Sequence, residues 1–136
     1  MDKRKMIREI NENEYDKIIA LGKRLNPKFS REFIGNLEKV LVYEENNEII
    51  AFIEFLALYE VVEIINIIVE EKHRNRGIGT LLLNKCINKD TKEIILEVRD
   101  NNEEGLKFYL DNGFKIIRTI KSYYKDGDAY IMERTI

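Results

Sequence analysis

Apolar residues change their period several times along the chain, and each change predicts an element. Lys5 to Ile10 reads as a short strand. Asn11, followed three residues later by Glu14, is the Asn form of a helix capping box. Tyr15, Ile18, Ile19 and Leu25 then recur at helical spacing, and "NPK" ends that helix. Ser30 is an N-cap for a short second helix carrying Phe33, Ile34 and Leu37. Val40 to Tyr43 and Glu48 to Leu58 are rich in β-formers, and "ENN" between them tolerates positive φ. Val61 to Val69 is apolar on both alternating faces, as in a strand covered on both sides. Ile78 to Lys89 reads as a helix with Ile78, Leu81, Leu82, Cys86 and Ile87 on one face. Glu93 to Val98 is another strand. Asn101 or Asn102 caps a helix that runs through Leu110, with Gly113 as its C′ residue. Phe114 to Ile120 and Ala129 to Arg134 are the last strands, joined by "YKDGDA" with its Asp-Gly hairpin signal.

The resulting order is β-α-α-β-β-β-α-β-α-β-β. The early strands are hairpin-linked and a βαβ crossover lies in the middle, so the class is α+β with helices on a mixed sheet. The chain has 136 residues, no repeat and a single proline, which predicts one domain over 1–136. Lys plus Arg number 23 and Asp plus Glu 25, a net charge of −2 that argues against a general nucleic-acid binder. One cysteine and one histidine offer neither an internal disulfide nor a zinc site. The opening "MDKRKMIREI" lacks an apolar run of signal-peptide length, and Glu54, Glu60, Glu63 and Asn66 interrupt the most apolar region. The expectation is a cytoplasmic protein with no membrane partner and no metal.

One stretch stands out chemically. "HRNRGIGT" (His73 to Thr80) joins the strand ending at Val69 to the next helix. The first amides of a helix lack internal acceptors, and the helix dipole adds positive potential there. Gly77 and Gly79 let a phosphate approach the backbone, and Arg74 and Arg76 add charge. The bland alternative is a solvated basic loop. A P-loop is excluded, since no G-x-x-x-x-G-K-[ST] string occurs. A dinucleotide fingerprint is incomplete: Leu82 occupies the third glycine position, although Glu97 follows Gly77 by 20 residues, as a ribose-binding acid would.

Arg74-x-x-Gly77-x-Gly79 resembles the acetyl-coenzyme-A motif, Q/R-x-x-G-x-G/A, of the GNAT (Gcn5-related) N-acetyltransferase superfamily. The element order resembles that family over essentially the whole chain, and "NEEGLKFYLDNGF" (Asn102 to Phe114) resembles its next helix. "LEVRDNN" and "SYYKDGDAYIM" look like the bacterial branch that acetylates the N-terminal alanine of a ribosomal protein. The resemblance implies a GNAT fold: a mixed, mostly antiparallel sheet of six to seven strands, a central parallel βαβ crossover and about four helices. It implies acetyl transfer from acetyl-coenzyme A to a primary amine. The pyrophosphate would rest on the amides of Arg76, Gly77, Ile78, Gly79 and Thr80, with Arg74 and Asn75 also in the cofactor site. The pantetheine arm would pair with backbone at Ile67, Ile68 and Val69 and contact Asn102, which equally reads as a plain helix cap. Glu97, which interrupts the apolar "IILEV", matches a general base, and Tyr109 matches a general acid. Glu97 otherwise reads as a solvated strand-end carboxylate, and Tyr109 as a core aromatic sharing a face with Leu106 and Leu110.

Cys86, mid-helix on an apolar face, reads as a small hydrophobe. His73 reads as a loop residue or minor phosphate contact. Tyr123 and Tyr124 sit where the family borders its acceptor. Two features depart from the pattern. Gly105 stands where relatives carry a small residue such as Ala, and the branch's Pro-Trp-Ser element is answered only by Pro27, Phe29 and Ser30 in a chain without tryptophan. The expected acceptor is a peptide N-terminal α-amine. Alternatives are a small amine or polyamine, a non-catalytic coenzyme-A-binding module, and a dinucleotide binder. A monomer or weak homodimer suits a chain of this size.

Overall fold

The computed structural model describes residues 4–25 and 39–136. The helix predicted from Ser30 through Leu37, and the "NPK" stop with Pro27 and Phe29, lie outside them. The described elements are β1 (Lys5–Glu9), α1 (Tyr15–Leu25), β2 (Lys39–Glu45), β3 (Glu48–Leu58), β4 (Val61–Val69), α2 (Ile78–Lys85), β5 (Glu93–Arg99), α3 (Glu103–Asp111), β6 (Lys115–Tyr124) and β7 (Gly127–Thr135). The strands form one seven-stranded mixed sheet in the order β1-β2-β3-β4-β5-β7-β6. The chain divides into two compact units, residues 1–56 with 66–87, and residues 57–65 with 88–136.

In the first unit, β1, β2 and β3 pair antiparallel. Asn46 and Asn47, at φ 53° and 65°, form the positive-φ turn that "ENN" predicts between β2 and β3. α1 buries Ile18 and Leu21 against Val40, Val42 and Phe52. A short 3₁₀ turn, Glu12–Glu14, precedes α1, and Glu14 Oε1 accepts from the Asn11 amide at 2.9 Å, as a capping box requires. Arg8 grips both oxygens of the same carboxylate at 2.7 Å and reaches Glu44 Oε1 at 2.8 Å. These bonds hold the Glu14 carboxyl down at about 2, with Arg8 the leading cause. Glu54 is fully buried on β3 and accepts from Asn66 Nδ2 at 2.6 Å.

Three expectations are corrected here. α2 stops at Lys85 rather than Lys89. The Cys86 amide tightens onto Leu83 O at 3.2 Å, and Asn88 to Thr91 fold into their own turn, with Asn88 Oδ1 accepting from the Asp90 amide at 2.7 Å. Leu81 lies outside the buried face of α2, which is built by Ile78, Leu82, Leu83 and Cys86. The distal end of β4 is also not covered on both sides: Ile67, Ile68 and Val69 are half-buried.

In the second unit, Val61–Ile64 of β4 run parallel to Glu93–Leu96 of β5. β5 pairs antiparallel with β7 along its length, and β7 with β6. The core holds Val62, Ile64, Ile94, Leu96, Val98, Phe114, Ala129 and Met132. α3 connects β5 to β6. Asn102 Oδ1 caps it by accepting from the Gly105 amide at 2.9 Å, and Gly113, at φ 87°, ends it. Leu110 is 53% exposed, so it does not share a buried face with Leu106 and Tyr109. The last hairpin forms as expected but not for the expected reason. Gly127 does not take positive φ; Ser122 does, at 53°, in an irregular stretch of β6. Gly127 lies close to the Asp100 side chain: a Cβ there would lie 2.6 Å from Asp100 Oδ1, which would have to move aside.

Candidate active site

The sequence from Val69 to Thr80 builds a turn whose geometry is set by two left-handed residues, Asn75 at φ 62° and Gly77 at φ 78°. Glu71–His73 form a 3₁₀ turn after β4. Arg74 Nε donates to Val69 O at 3.1 Å, fastening the turn to the strand end. Gly77 then serves as N-cap of α2, without a side-chain cap, and no acidic residue occupies the first helical turn. A Cβ at Gly77 would meet nothing within 4 Å, so glycine is needed there for its φ and leaves open space in front of the helix start. Gly79 and Ile78 are buried.

Arg76 does not stand free over this turn. Its guanidinium makes a bidentate pair with Glu45 at 2.7 and 2.9 Å and lies 2.8 Å from His73 Nδ1. Lys5 Nζ approaches the same carboxylate at 3.7 Å. The pair depresses the Glu45 carboxyl and raises Arg76 further, each mainly through the shared hydrogen bonds. Sequence reasoning had no signal for Glu45, which stands 31 residues from Arg76.

The second unit carries the titratable candidates. Glu97 is exposed on β5, opposite Ile131 of β7. Its Oε1 accepts from the Tyr124 hydroxyl at 2.5 Å. Arg99 lies over the Tyr124 ring, 3.8 Å from its centroid, and donates to Asp126 Oδ1 at 2.7 Å. Tyr123 meets Tyr124 edge to face at 5.0 Å. Burial, then the Glu97 hydrogen bond, pushes the Tyr124 phenol up to about 12. Arg99 and Asp126 were not anticipated, although Arg99 shares a β5 face with Glu97 by simple alternation.

Tyr109 sits on α3 between Phe108 and Phe114, edge to face with each at 5.3 and 5.6 Å. Burial pushes its phenol up to about 12. Asn102 is the helix cap, and the amide end of its side chain crowds Gly105, where a Cβ would come within 2.6 Å of Nδ2. Gly105 thus makes room for the cap. Cys86 is buried, donates to Leu82 O at 3.5 Å and is pushed up to about 12 by burial, so its thiol stays neutral. Among the described residues no cluster of metal ligands occurs, and no helix is long and apolar enough to cross a membrane.

Comparison with known proteins supplies the context for these residues. The chain is 37% identical over 75 residues to an N-alpha-acetyltransferase of Sulfurisphaera tokodaii, a match covering 51% of this chain and 45% of the relative. It is 38% identical over 72 residues to N-alpha-acetyltransferase 50 of Danio rerio, covering 47% of this chain and 43% of that one. The matches thus span less than half the length of these curated relatives. Among solved structures, the fold resembles Arabidopsis thaliana Naa50 in complex with the bisubstrate analogue CoA-Ac-MVNAL, at TM-score 0.84, 22% identity and 98% and 99% coverage of the two chains. It also resembles the ribosomal-protein-S18-alanine N-acetyltransferase from Escherichia coli, at TM-score 0.81, 21% identity and 97% and 94% coverage. The model of the acetyltransferase (GNAT) family matches residues 5–114, from β1 through the end of α3, and by that match the chain belongs to this family.

Proposed function

We propose that this chain is an acetyl-coenzyme-A-dependent N-acetyltransferase whose acceptor is the α-amine of a peptide or protein N-terminus. The observation that carries the reading is the turn before α2: an uncapped helix start, reached through a positive-φ glycine with open space before it and no carboxylate in its first turn. That arrangement suits a pyrophosphate on backbone amides from Arg76 to Thr80, with Arg74 and Asn75 beside it. Ile67 to Val69 and Asn102 are the proposed contacts of the pantetheine arm. The names of the curated relatives support an N-terminal acceptor over a small amine.

Acetyl-coenzyme A supplies an acetyl group activated as a thioester. The chain's residues have two proton tasks. The acceptor must attack as a neutral amine, and an α-amine near 7.7–8.0 is far closer to that state than a lysine near 10.4. Glu97 takes the proton that the amine loses as its nitrogen bonds to the carbonyl carbon. Tyr109, held as a phenol, is the acid partner: it donates a hydrogen bond to the sulfur as the carbon–sulfur bond breaks and coenzyme A leaves as the thiolate. A backbone amide at the end of β4 is the proposed donor to the carbonyl oxygen.

A second acceptor class, the polyamines, calls for an acidic pocket. A cleft of about 350 Å³ in the first unit is lined, among the described residues, by Leu21, Arg24, Glu70, Glu71 and Lys72, a mixed set rather than an acidic one. The finer proposals are a ribosomal-protein-alanine acceptor, one acetyltransferase domain over 1–136, a cytoplasmic location and a monomer or weak homodimer. The test is calorimetric titration with acetyl-coenzyme A, followed by thiol release against Ala-, Ser- and Met-initiated peptides and polyamines. Turnover on a peptide is expected, and preference for Ala over Met selects the ribosomal type. Turnover on polyamine alone overturns the N-terminal reading. Binding without turnover on any acceptor points to a binding module, and absence of binding overturns the assignment of the turn.

A further inference from the structure

Four side chains of the second unit form an unbroken line: Asp126, Arg99, Tyr124 and Glu97. Each link is short and directional. Asp126 Oδ1 accepts from Arg99 at 2.7 Å, the Arg99 guanidinium lies 3.8 Å from the Tyr124 ring centroid, and the Tyr124 hydroxyl donates to Glu97 Oε1 at 2.5 Å. The line joins β5 to the β6–β7 hairpin, so it ties the orientation of one strand-borne carboxylate to the seating of a loop. A solvated glutamate side chain samples many rotamers, and fixing one costs conformational entropy. A phenol donor at one oxygen removes most of that freedom and leaves the second oxygen facing outward with its lone pairs. Stacking and the Asp126 bond remove the same freedom from the donor.

Resting on the reading of Glu97 as the base, we infer that Tyr124 is a positioning residue: its hydroxyl holds Glu97 Oε1 so that Oε2 is the oxygen that takes the acceptor's proton, and Arg99 with Asp126 fixes the ring. The Tyr124 proton stays on its own oxygen throughout. It is a hydrogen-bond donor and never the acid. Beside Glu97, among the described residues, stand Tyr124 from β6, Ile131 opposite it on β7 and Arg99 on its own strand, with Glu133 of β7 and Glu63 of β4 both in register with Ile95, two residues before it.

Tyr124→Phe keeps the ring, and with it the stack, and removes only the donor. It is expected to lower kcat/KM for the peptide about tenfold, in line with a lost hydrogen bond to a charged group. KM for acetyl-coenzyme A should not change. In an E97Q background Y124F should lower kcat/KM no further. A second measurement needs no turnover. The absorbance titration of Tyr124, isolated as wild type minus Y124F, should fall from about 12 toward the ordinary tyrosine value in E97Q. Wild-type kcat/KM in Y124F, or the same loss from Y124F in the E97Q background, overturns the proposal. So does a Tyr124 titration that is the same in wild type and E97Q. If the wild type acetylates no acceptor at all, the functional reading falls instead, and the titration still decides whether the Tyr124–Glu97 pair exists.

Discussion

Replacing Tyr109 by Phe tests the acid half of the mechanism. Burial raises this phenol to about 12 from its ordinary 10.0, a shift that corresponds to roughly 3 kcal/mol against the phenolate. At pH 8 only about one molecule in ten thousand then carries the charged form, so the proton is present through the whole working range. The same number sets a limit. A thiol near 8.5 is a stronger acid than a phenol near 12, and complete transfer to a free thiolate would run uphill by about 5 kcal/mol. Tyr109 therefore acts on charge that is still developing on sulfur, by a hydrogen bond that tightens as the carbon–sulfur bond lengthens. Y109F keeps the edge-to-face contacts with Phe108 and Phe114, and no partner for the hydroxyl is found among the described residues, so stability should change little. kcat should fall by about 10²–10⁴ with KM for acetyl-coenzyme A nearly constant. Thiol release followed from pH 7 to 10 is the assay, with thermal denaturation as the control for folding. A Y109F enzyme within twofold of wild-type kcat would refute the reasoning. So would a wild-type alkaline limb near pH 9–10 that vanishes in the variant, since a phenol near 12 cannot titrate there.

Four further expectations concern the scaffold. The Glu14 carboxyl sits at about 2 against an ordinary 4.5, so its pair with Arg8 stabilises the fold fully above pH 4.5 and loses that contribution as pH falls toward 2; denaturation of wild type against E14Q over pH 6 to 2 should show the wild type losing up to about 3 kcal/mol more. Asn102→Ala should destabilise by about 1 kcal/mol through loss of the α3 cap. Gly105→Ala should be close to neutral, because about 1 kcal/mol of helix propensity is offset by the displaced cap, yet it should stabilise an N102A background; equal effects of G105A in both backgrounds would refute the steric account, as read by chemical denaturation. Gly77→Ala places a Cβ at φ 78°, so calorimetry should show weaker coenzyme A binding and denaturation a loss of about 1–2 kcal/mol.

The elements were legible where local chemistry decides them. The capping box at Asn11, the Asn46–Asn47 turn, the Asn102 cap and the Gly113 stop each rest on groups within a few residues. The errors arose where distant groups decide. Leu81 and Leu110 fit apolar helical spacing, but the neighbouring strands do not cover them. Lys85 ends α2 because Asn88 and Thr91 offer the backbone another set of bonds, which outweighs helix propensity over four residues. Gly127 was read only as half of an Asp-Gly hairpin signal, while the structure gives it no positive φ and sets it close beside Asp100. In the candidate site, the glycine turn, Glu97 and Tyr109 were visible from motif and strand position. Glu45 and the Asp126–Arg99–Tyr124 line were not, because pairing between side chains about 30 residues apart leaves no periodic trace.

The Glu45–Arg76 pair bears on how a ligand would be captured. Paired with Glu45, Arg76 projects little long-range potential, since the pair's field decays as a dipole and salt screens the rest. One of the turn's two arginines is thus tied up before any ligand arrives. Recognition of an anion there rests more on amide dipoles, effective at contact distance, than the two arginines in the motif suggest. Encounter should depend on ionic strength less steeply than two free cations would make it, and selectivity among anions should follow shape more than total charge.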